Sequence, residues 1–517
     1  AVYEMMCAAD TIGVFQIESR AQMSMLPRLK PRCYYDLVIQ IAIVRPGPIQ
    51  GEMVHPYLNR RSGRETISYP SEAVKSVLER TLGVPIFQEQ VMQLAMVAAG
   101  FSGGEADGLR RAMAAWKRKG GLEHYREKLV TGMLDRGYEP SFAEQLFNQI
   151  KGFGDYGFPE SHSASFALIA YVSSWLKCYH PAAFCCALLN SQPMGFYAPA
   201  QLIKDAQRHG VEVLPAEVNE SVVGCSLEAS DTVRASKAIE SPDSSEWRKR
   251  PRVQGAAQSQ RLRIGFNLVK GLSAQAAVAI VEARRGGAYV SIQDLVFRTG
   301  IDRRDLEALA AADALRGLAG DRHRAFWHAA GVITAQGYAV SHSRAGSLAH
   351  ADRPIADLFD DAASGDIDFG LGVMLPLASE SQNVAGDYAA TGFTLRRHPL
   401  ALLREHLDCF GANSSAQLGK LGNDQATKVA GLVTCRQRPM TASGVTFLTL
   451  EDEAGHMNVV VWPALGERLR PILRQAMLIG VVGRVQESEG VIHVIADNLV
   501  DLTSWLGELS LSSRDFT

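Results

Sequence analysis

A chain of 517 residues, 47% of them apolar, is long enough for about three domains with real cores, which excludes a wholly disordered protein. Its 53 basic and 55 acidic residues leave a net charge of -2, so any nucleic-acid surface must be a local patch rather than a global positive field. No apolar run reaches the ~18 residues of a membrane span and the start lacks signal-peptide organisation, so neither a membrane nor secretion is indicated. The eight cysteines show no zinc spacing, and with Cys185 and Cys186 inside an apolar run they read as reduced core residues of a cytoplasmic protein.

From residue 1 to about residue 190, apolar residues recur at helical spacing and predict helices over 21–29, 71–82, 89–99, 122–136 and 141–150. Arg45-Pro46-Gly47-Pro48 and Tyr69-Pro70 mark turns, and Ser102-Gly103-Gly104 is placed to stop one helix and cap the next. Three glycines, Gly152, Gly154 and Gly157, precede Ser161-His162-Ser163 and a long apolar run. Such a Gly-rich loop at a helix start suits a phosphate, and on pattern alone a Ser-capped loop fits equally well.

A helix ending at Gly210 and a short strand over 211–215 close this block, assigned to 1–220. Residues 221–260, rich in Ser, Arg, Lys and Glu, read as a flexible linker. Over 261–335, Val269-Lys270-Gly271-Leu272-Ser273 precedes an Ala-rich helix, and 306–318 offers a second helix, turn and helix followed by Arg322, His323 and Arg324. Both are similar to helix-hairpin-helix units, whose turn amides hold a DNA phosphate; a plain helical bundle with Gly turns is the alternative. Lys270, Gly271 and Ser273 are the candidate DNA contacts of the first turn.

Residues 336–395 form an acidic connector, loop-like to Asp387. Its Asp366 and Asp368 lie one residue apart, as two-metal phosphoryl chemistry would want, but Asp357, Asp360 and Asp361 nearby make a solvated acidic loop the better reading. After a helical connection over 396–425 the period changes to two. Strands are predicted over 429–435, 446–451, 457–461, 478–485 and 491–496, with a helix over 465–474 between the third and fourth. That pattern suits an OB-fold over 426–502, followed by a tail over 503–517. Such a barrel binds single strands through one face or serves only for packing.

Five stretches carry a family likeness in order: Gly13-Val14-Phe15-Gln16-Ile17-Glu18-Ser19-Arg20, Ile43-Val44-Arg45-Pro46-Gly47-Pro48, Ile86-Phe87-Gln88-Glu89-Gln90-Val91-Met92, Leu109-Arg110-Arg111-Ala112-Met113, and the loop from Gly152 to Phe166. Together they resemble the fingers of the bacterial C-family DNA polymerases. Phe158-Pro159-Glu160-Ser161-His162, the stretch Ala114-Ala115-Trp116-Lys117-Arg118-Lys119 and an end soon after the barrel resemble the error-prone branch. The implied architecture is multidomain: a mainly α fingers block, a helix-hairpin-helix region and a C-terminal β-barrel.

The resemblance implies a DNA-directed DNA polymerase acting in damage-tolerant synthesis and repair, with template-primer DNA, dNTP, a sliding clamp and accessory translesion proteins as partners. It further implies Mg²⁺ held by palm aspartates that precede the fingers. The chain opens Ala1-Val2-Tyr3-Glu4 without Met, as a fragment would, and contains no such palm, so it is expected to be inactive alone. The competing reading is a non-catalytic nucleic-acid-binding remnant. Arg45, Arg110, Arg111, Ser161, His162 and Ser163 are the nucleotide-binding candidates, and Lys117, Arg118 and Lys119 are DNA-backbone candidates. Arg45, Arg110, Arg111 and His162 are expected on one face, since solvated arginines gain nothing from gathering unless an anion binds them.

Overall fold

The computed structural model describes residues 1–44, 54–119, 122–152, 159–193, 197–229, 260–331, 376–438, 444–488 and 491–507. The N-terminal block is helical, as its apolar periodicity requires. Its helices include Val2–Cys7, Arg20–Leu29, Tyr34–Ile43, Gln88–Ala99, Gly103–Lys119 and Glu160–Tyr179. One core unites them from Val2 to Cys178, with Leu26, Leu37, Ile41, Leu94, Ile150 and Ala167 fully enclosed. Gly100, not Gly103, ends the Gln88–Ala99 helix, at φ +73, and Ser102 opens the next with its amide and hydroxyl on Glu105. The helix predicted over 71–82 is Glu72–Leu78, tightened into a 3₁₀ turn over Glu79–Thr81.

A second core runs from Ala182 to Phe393 and joins the helices Pro181–Asn190 and Pro199–Arg208 to a small sheet and to the helix-hairpin-helix region. In that sheet, β3 (Gln260–Arg263) lies between β1 (Val213–Leu214), parallel, and β2 (Ser226–Ala229), antiparallel. The linker assignment over 221–260 is therefore corrected at its ends. Ser221 is buried with its hydroxyl on the Ile264 carbonyl, and β2 pairs with β3, so both rims are ordered; 230–259 lies outside the described residues.

The hairpin region is built from the helices Ala274–Ala283, Ile292–Thr299, Arg303–Ala311, Arg316–Ala319 and Arg322–Gly331. The connector is corrected too, because Glu380–Ala390 is a helix with Ser379 as its N-cap. It returns onto the hairpin region: Arg322 and Arg396 both bind Asp387, and Arg396 also reaches Asp313. Asp366 and Asp368 lie outside the described residues.

The C-terminal strands β4 (Ala426–Gln437), β5 (Thr446–Glu451), β6 (His456–Val461), β7 (Leu478–Ser488) and β8 (Val491–Asp501) close in the order β4-β5-β6-β8-β7. The helices Pro463–Arg468 and Arg470–Gln475 bridge β6 and β7. Alternation along each strand sends Val429, Leu448, Val459, Val481 and Val494 into the barrel interior. Gly483 marks a close approach of two strands, since a Cβ there would lie 2.1 Å from the Ile495 carbonyl oxygen.

Candidate nucleotide and nucleic-acid interface

The five sequence motifs are not equally close in the fold. The helix Glu160–Tyr179 gathers most of them. Ser163, on its first turn, donates its hydroxyl to the Val38 carbonyl, and the Tyr34 hydroxyl donates to the Ala164 carbonyl, fixing the helix Tyr34–Ile43 alongside. The His162 ring lies tilted against Phe166 with centroids 4.0 Å apart, and Phe166 meets Phe15 edge-on at 5.1 Å. The first motif thus lies against the last.

The start of this helix attracts an anion, as a helix N-terminus should, but the anion is a carboxylate. Glu89 accepts the Glu160 amide at 3.0 Å. The Glu160 side chain then receives the Tyr35 hydroxyl at 2.7 Å and Arg80 at 3.0 Å. Burial and this bond to Glu160 push the Tyr35 hydroxyl pKa up.

Placement separates the nucleotide candidates. Ser163 is corrected: fully buried and already donating to Val38, it holds two helices together. Ser161 and His162 are exposed. Arg110 and Arg111 project from the helix Gly103–Lys119 and share Asp107, at 2.9 and 3.1 Å. That helix packs on Gln88–Ala99, the element that supplies Glu89. Arg45 lies outside the described residues, as do Tyr156 and Phe158. Lys117, Arg118 and Lys119 end the Gly103–Lys119 helix, and their side chains are also outside them.

At the first hairpin, Gly271 holds φ +87 as an amide-presenting turn requires. The groups around it are occupied from within. Asp305 accepts both the amide and the hydroxyl of Ser273, at 2.7 and 2.9 Å, so both donors already serve a carboxylate. Lys270 donates to the Tyr388 and Ala389 carbonyls at 3.1 and 3.2 Å, closing the C-terminus of the helix Glu380–Ala390. Exposed arginines here include Arg285, Arg303, Arg304, Arg316 and Arg324, none of which the sequence reading placed among the DNA contacts. On the barrel, Trp462 is 53% exposed at the end of β6 and offers a flat face for a base.

Among the described residues, Asp10, Asp205 and His209 form a cluster of metal-ligand type. Lys177 fills it, with its ammonium 3.2 Å from Asp10 and 2.8 Å from Asp205. The cluster therefore does not fit a catalytic Mg²⁺. Asp107 was legible as an i,i+3 and i,i+4 partner of the two arginines, whereas no local signal pairs Lys204 with Glu451 or Glu89 with Glu160.

A helical N-terminal block, a hairpin region and a closed five-stranded barrel in one chain are the modules of a nucleic-acid-binding protein. A family model described as the bacterial DNA polymerase III alpha subunit finger domain matches residues 1–137, one for the helix-hairpin-helix motif matches 210–325, and one for the OB-fold nucleic acid binding domain matches 427–502. The chain is similar to an error-prone DNA polymerase of Methylococcus capsulatus, 58% identical over 516 residues that make up 100% of this chain and 46% of that polymerase. Similar matches are to error-prone DNA polymerases of Bordetella bronchiseptica, 54% identical over 100% of this chain and 45% of the relative, and of Pseudomonas savastanoi, 53% identical over 99% and 45%. The chain belongs to the bacterial C-family DNA polymerases, in their error-prone branch. It spans just under half the length of these relatives. None of the described helices is long and apolar enough to cross a membrane.

Proposed function

We propose that the chain is the nucleotide-delivering and DNA-holding half of an error-prone DNA polymerase that works in damage-tolerant synthesis. The observation that carries this reading is the identity of 58% along the whole chain to a protein named error-prone DNA polymerase, with the three modules in one order. Polymerisation is phosphoryl transfer, in which the protein chiefly positions a triphosphate and stabilises charge. Arg110 and Arg111 contribute cations for the triphosphate, while Ser161 and His162 offer polar groups beside the Phe166 and Phe15 rings. Lys117, Arg118 and Lys119 extend the same helix toward the DNA backbone. The barrel receives single-stranded template on Trp462, and the exposed arginines of the hairpin region, rather than its occupied turn, hold duplex phosphates without reading bases. Mg²⁺ ligands, clamp and accessory contacts belong to the longer polymerase.

Primer extension tests the division of labour. The isolated chain, with Mg²⁺ or Mn²⁺, is expected to extend nothing. Joined to the unmatched part of the Methylococcus capsulatus relative, in place of its matching residues, it is expected to extend past a lesion. Robust extension by the isolated chain that vanishes in the Asp366→Ala, Asp368→Ala double variant would overturn the reading.

A further inference from the structure

One face of the helix Glu160–Tyr179 is apolar and uncovered. Leu168 is 57% exposed, Ile169 and Val172 48%, Trp175 40% and Leu176 39%. These five occupy positions i, i+1, i+4, i+7 and i+8, a single continuous stripe. The opposite face, carrying Ser163, Ala167, Ala170, Ser174 and Lys177, is the buried one. A two-sided helix of this kind belongs between two layers, and among the described residues only one layer is present.

The chemistry of the stripe selects its occupant. No charged residue stands between Glu160 and Lys177, so a phosphate backbone has nothing to bind there. Spacing of 169, 172 and 176 at three and four residues is the seam that a second apolar helix or groove accepts. The chain's own first helix, Val2–Cys7, lies against the same helix, with the Tyr3 and Tyr171 rings 5.5 Å apart. Polypeptide joined ahead of Ala1 would therefore enter beside the stripe. In the curated relatives more than half of the length lies outside the match.

We propose that the stripe from Leu168 to Leu176 is the docking surface for the remaining part of the longer polymerase chain, which covers it with an apolar helical surface. This rests on the reading of the chain as part of such a polymerase. The stripe starts about two turns after His162, so the docked part closes over the exposed side of Ser161 and His162. Docking and completion of the nucleotide site become one event.

The test compares the isolated chain with the chimera in which it replaces the matching residues of the Methylococcus capsulatus polymerase. In both, Val172→Cys is labelled with a maleimide and read by peptide mass spectrometry, with the exposed Cys33 and Cys409 as internal references. Rapid labelling is expected in the isolated chain, and labelling at least about tenfold slower in the chimera, as for any side chain buried in a stable interface. Hydroxyl-radical oxidation of Trp175 in the unsubstituted proteins gives the same contrast without a variant. Equal labelling in both overturns the proposal. So does a dimer of the isolated chain, seen by light scattering, in which the thiol of the Val172→Cys variant is already protected, because the occupant would then be a second copy. Protection without primer extension leaves the surface standing and removes the polymerase reading; extension with that thiol still open to the maleimide does the reverse.

Discussion

The Lys177 ammonium lies 2.8 Å from the Asp205 carboxylate with only 1% of the lysine side chain exposed, and it ties the end of the fingers helix to the next part of the chain. Asp10 on the N-terminal loop is its second partner, and His209 contacts Asp10 at 3.2 Å. A buried pair adds little over apolar packing while intact, but removing one partner strands the other charge. Lys177→Met is expected to destabilise the chain by about 3–5 kcal/mol. Lys177→Met with Asp205→Asn should recover part of that loss, because one of the two stranded carboxylates is neutralised. Urea unfolding of the two variants checks it; a loss no smaller in the double variant would contradict the charge argument.

Glu18 gives a pH dependence of one sign. Burial pushes its carboxyl pKa up to about 7, against the lowering influence of Lys177. The folded value is above the unfolded value of 4.5, so protonation favours the folded state. The contribution is full below the unfolded pKa and is lost as pH rises through 7. Glu18→Gln should therefore raise stability at pH 8 by about 1 kcal/mol, a figure discounted for the partial exposure of the group, and change little at pH 4.5. Equal gains at both pH values would assign the effect to packing.

The opposite sign is expected where the barrel meets the helix Pro199–Arg208. Burial and the neighbouring Lys204 lower His398 to about 3. Burial raises Glu451, but Lys204, His456 and His398 outweigh it and hold the carboxylate at about 2. Both folded values are below the unfolded ones, 6.5 and 4.5. Stability from His398 is full above 6.5 and is lost toward 3; that from Glu451 is full above 4.5 and is lost toward 2. Lowering the pH from 7.5 to 5 should loosen the barrel, and His398→Gln should flatten that slope. Limited proteolysis between the barrel and the helical part that precedes it, at the two pH values, reads this directly. An unchanged slope in His398→Gln would place the titration elsewhere.

Local chemistry made much of this chain legible. Period-two alternation located β4 to β8 because each strand has one face inside the barrel, and apolar periodicity located the fingers helices. What composition hid was long-range pairing. Gln260 to Arg263 reads as polar, yet it forms the central strand between β1 and β2, since backbone ladders need no apolar signature on a half-exposed strand. Ser163 looked like its neighbours Ser161 and His162. Only the helix phase, set by packing on Tyr34–Ile43, turned it inward. Lys270 and Ser273 matched a phosphate-binding turn, and Asp305 and the returning helix Glu380–Ala390 took up their donors from residues far along the chain.

Asp107 decides what Arg110 and Arg111 can do. One carboxylate faces two guanidinium groups, so the trio keeps a net positive charge, and all three side chains are partly exposed, at 40%, 39% and 69%. Exposed pairs of this kind are weak, about 0–1 kcal/mol, so a triphosphate of higher charge can displace the carboxylate. Removing the competitor should therefore help binding. Asp107→Asn is expected to tighten binding of a fluorescent dATP to the chain about three- to tenfold at low salt, and the gain should shrink as ionic strength rises. Arg111→Ala should weaken binding, and Arg110→Ala likewise. Arg126→Ala, which removes an equally exposed arginine paired with Glu144 on other helices, should leave it unchanged. If the arginines are solvated charges with no ligand, Asp107→Asn and the arginine variants will bind dATP alike. Indifference of that kind, measured by fluorescence anisotropy at two salt concentrations, would remove Arg110 and Arg111 from the nucleotide site while leaving the family assignment untouched.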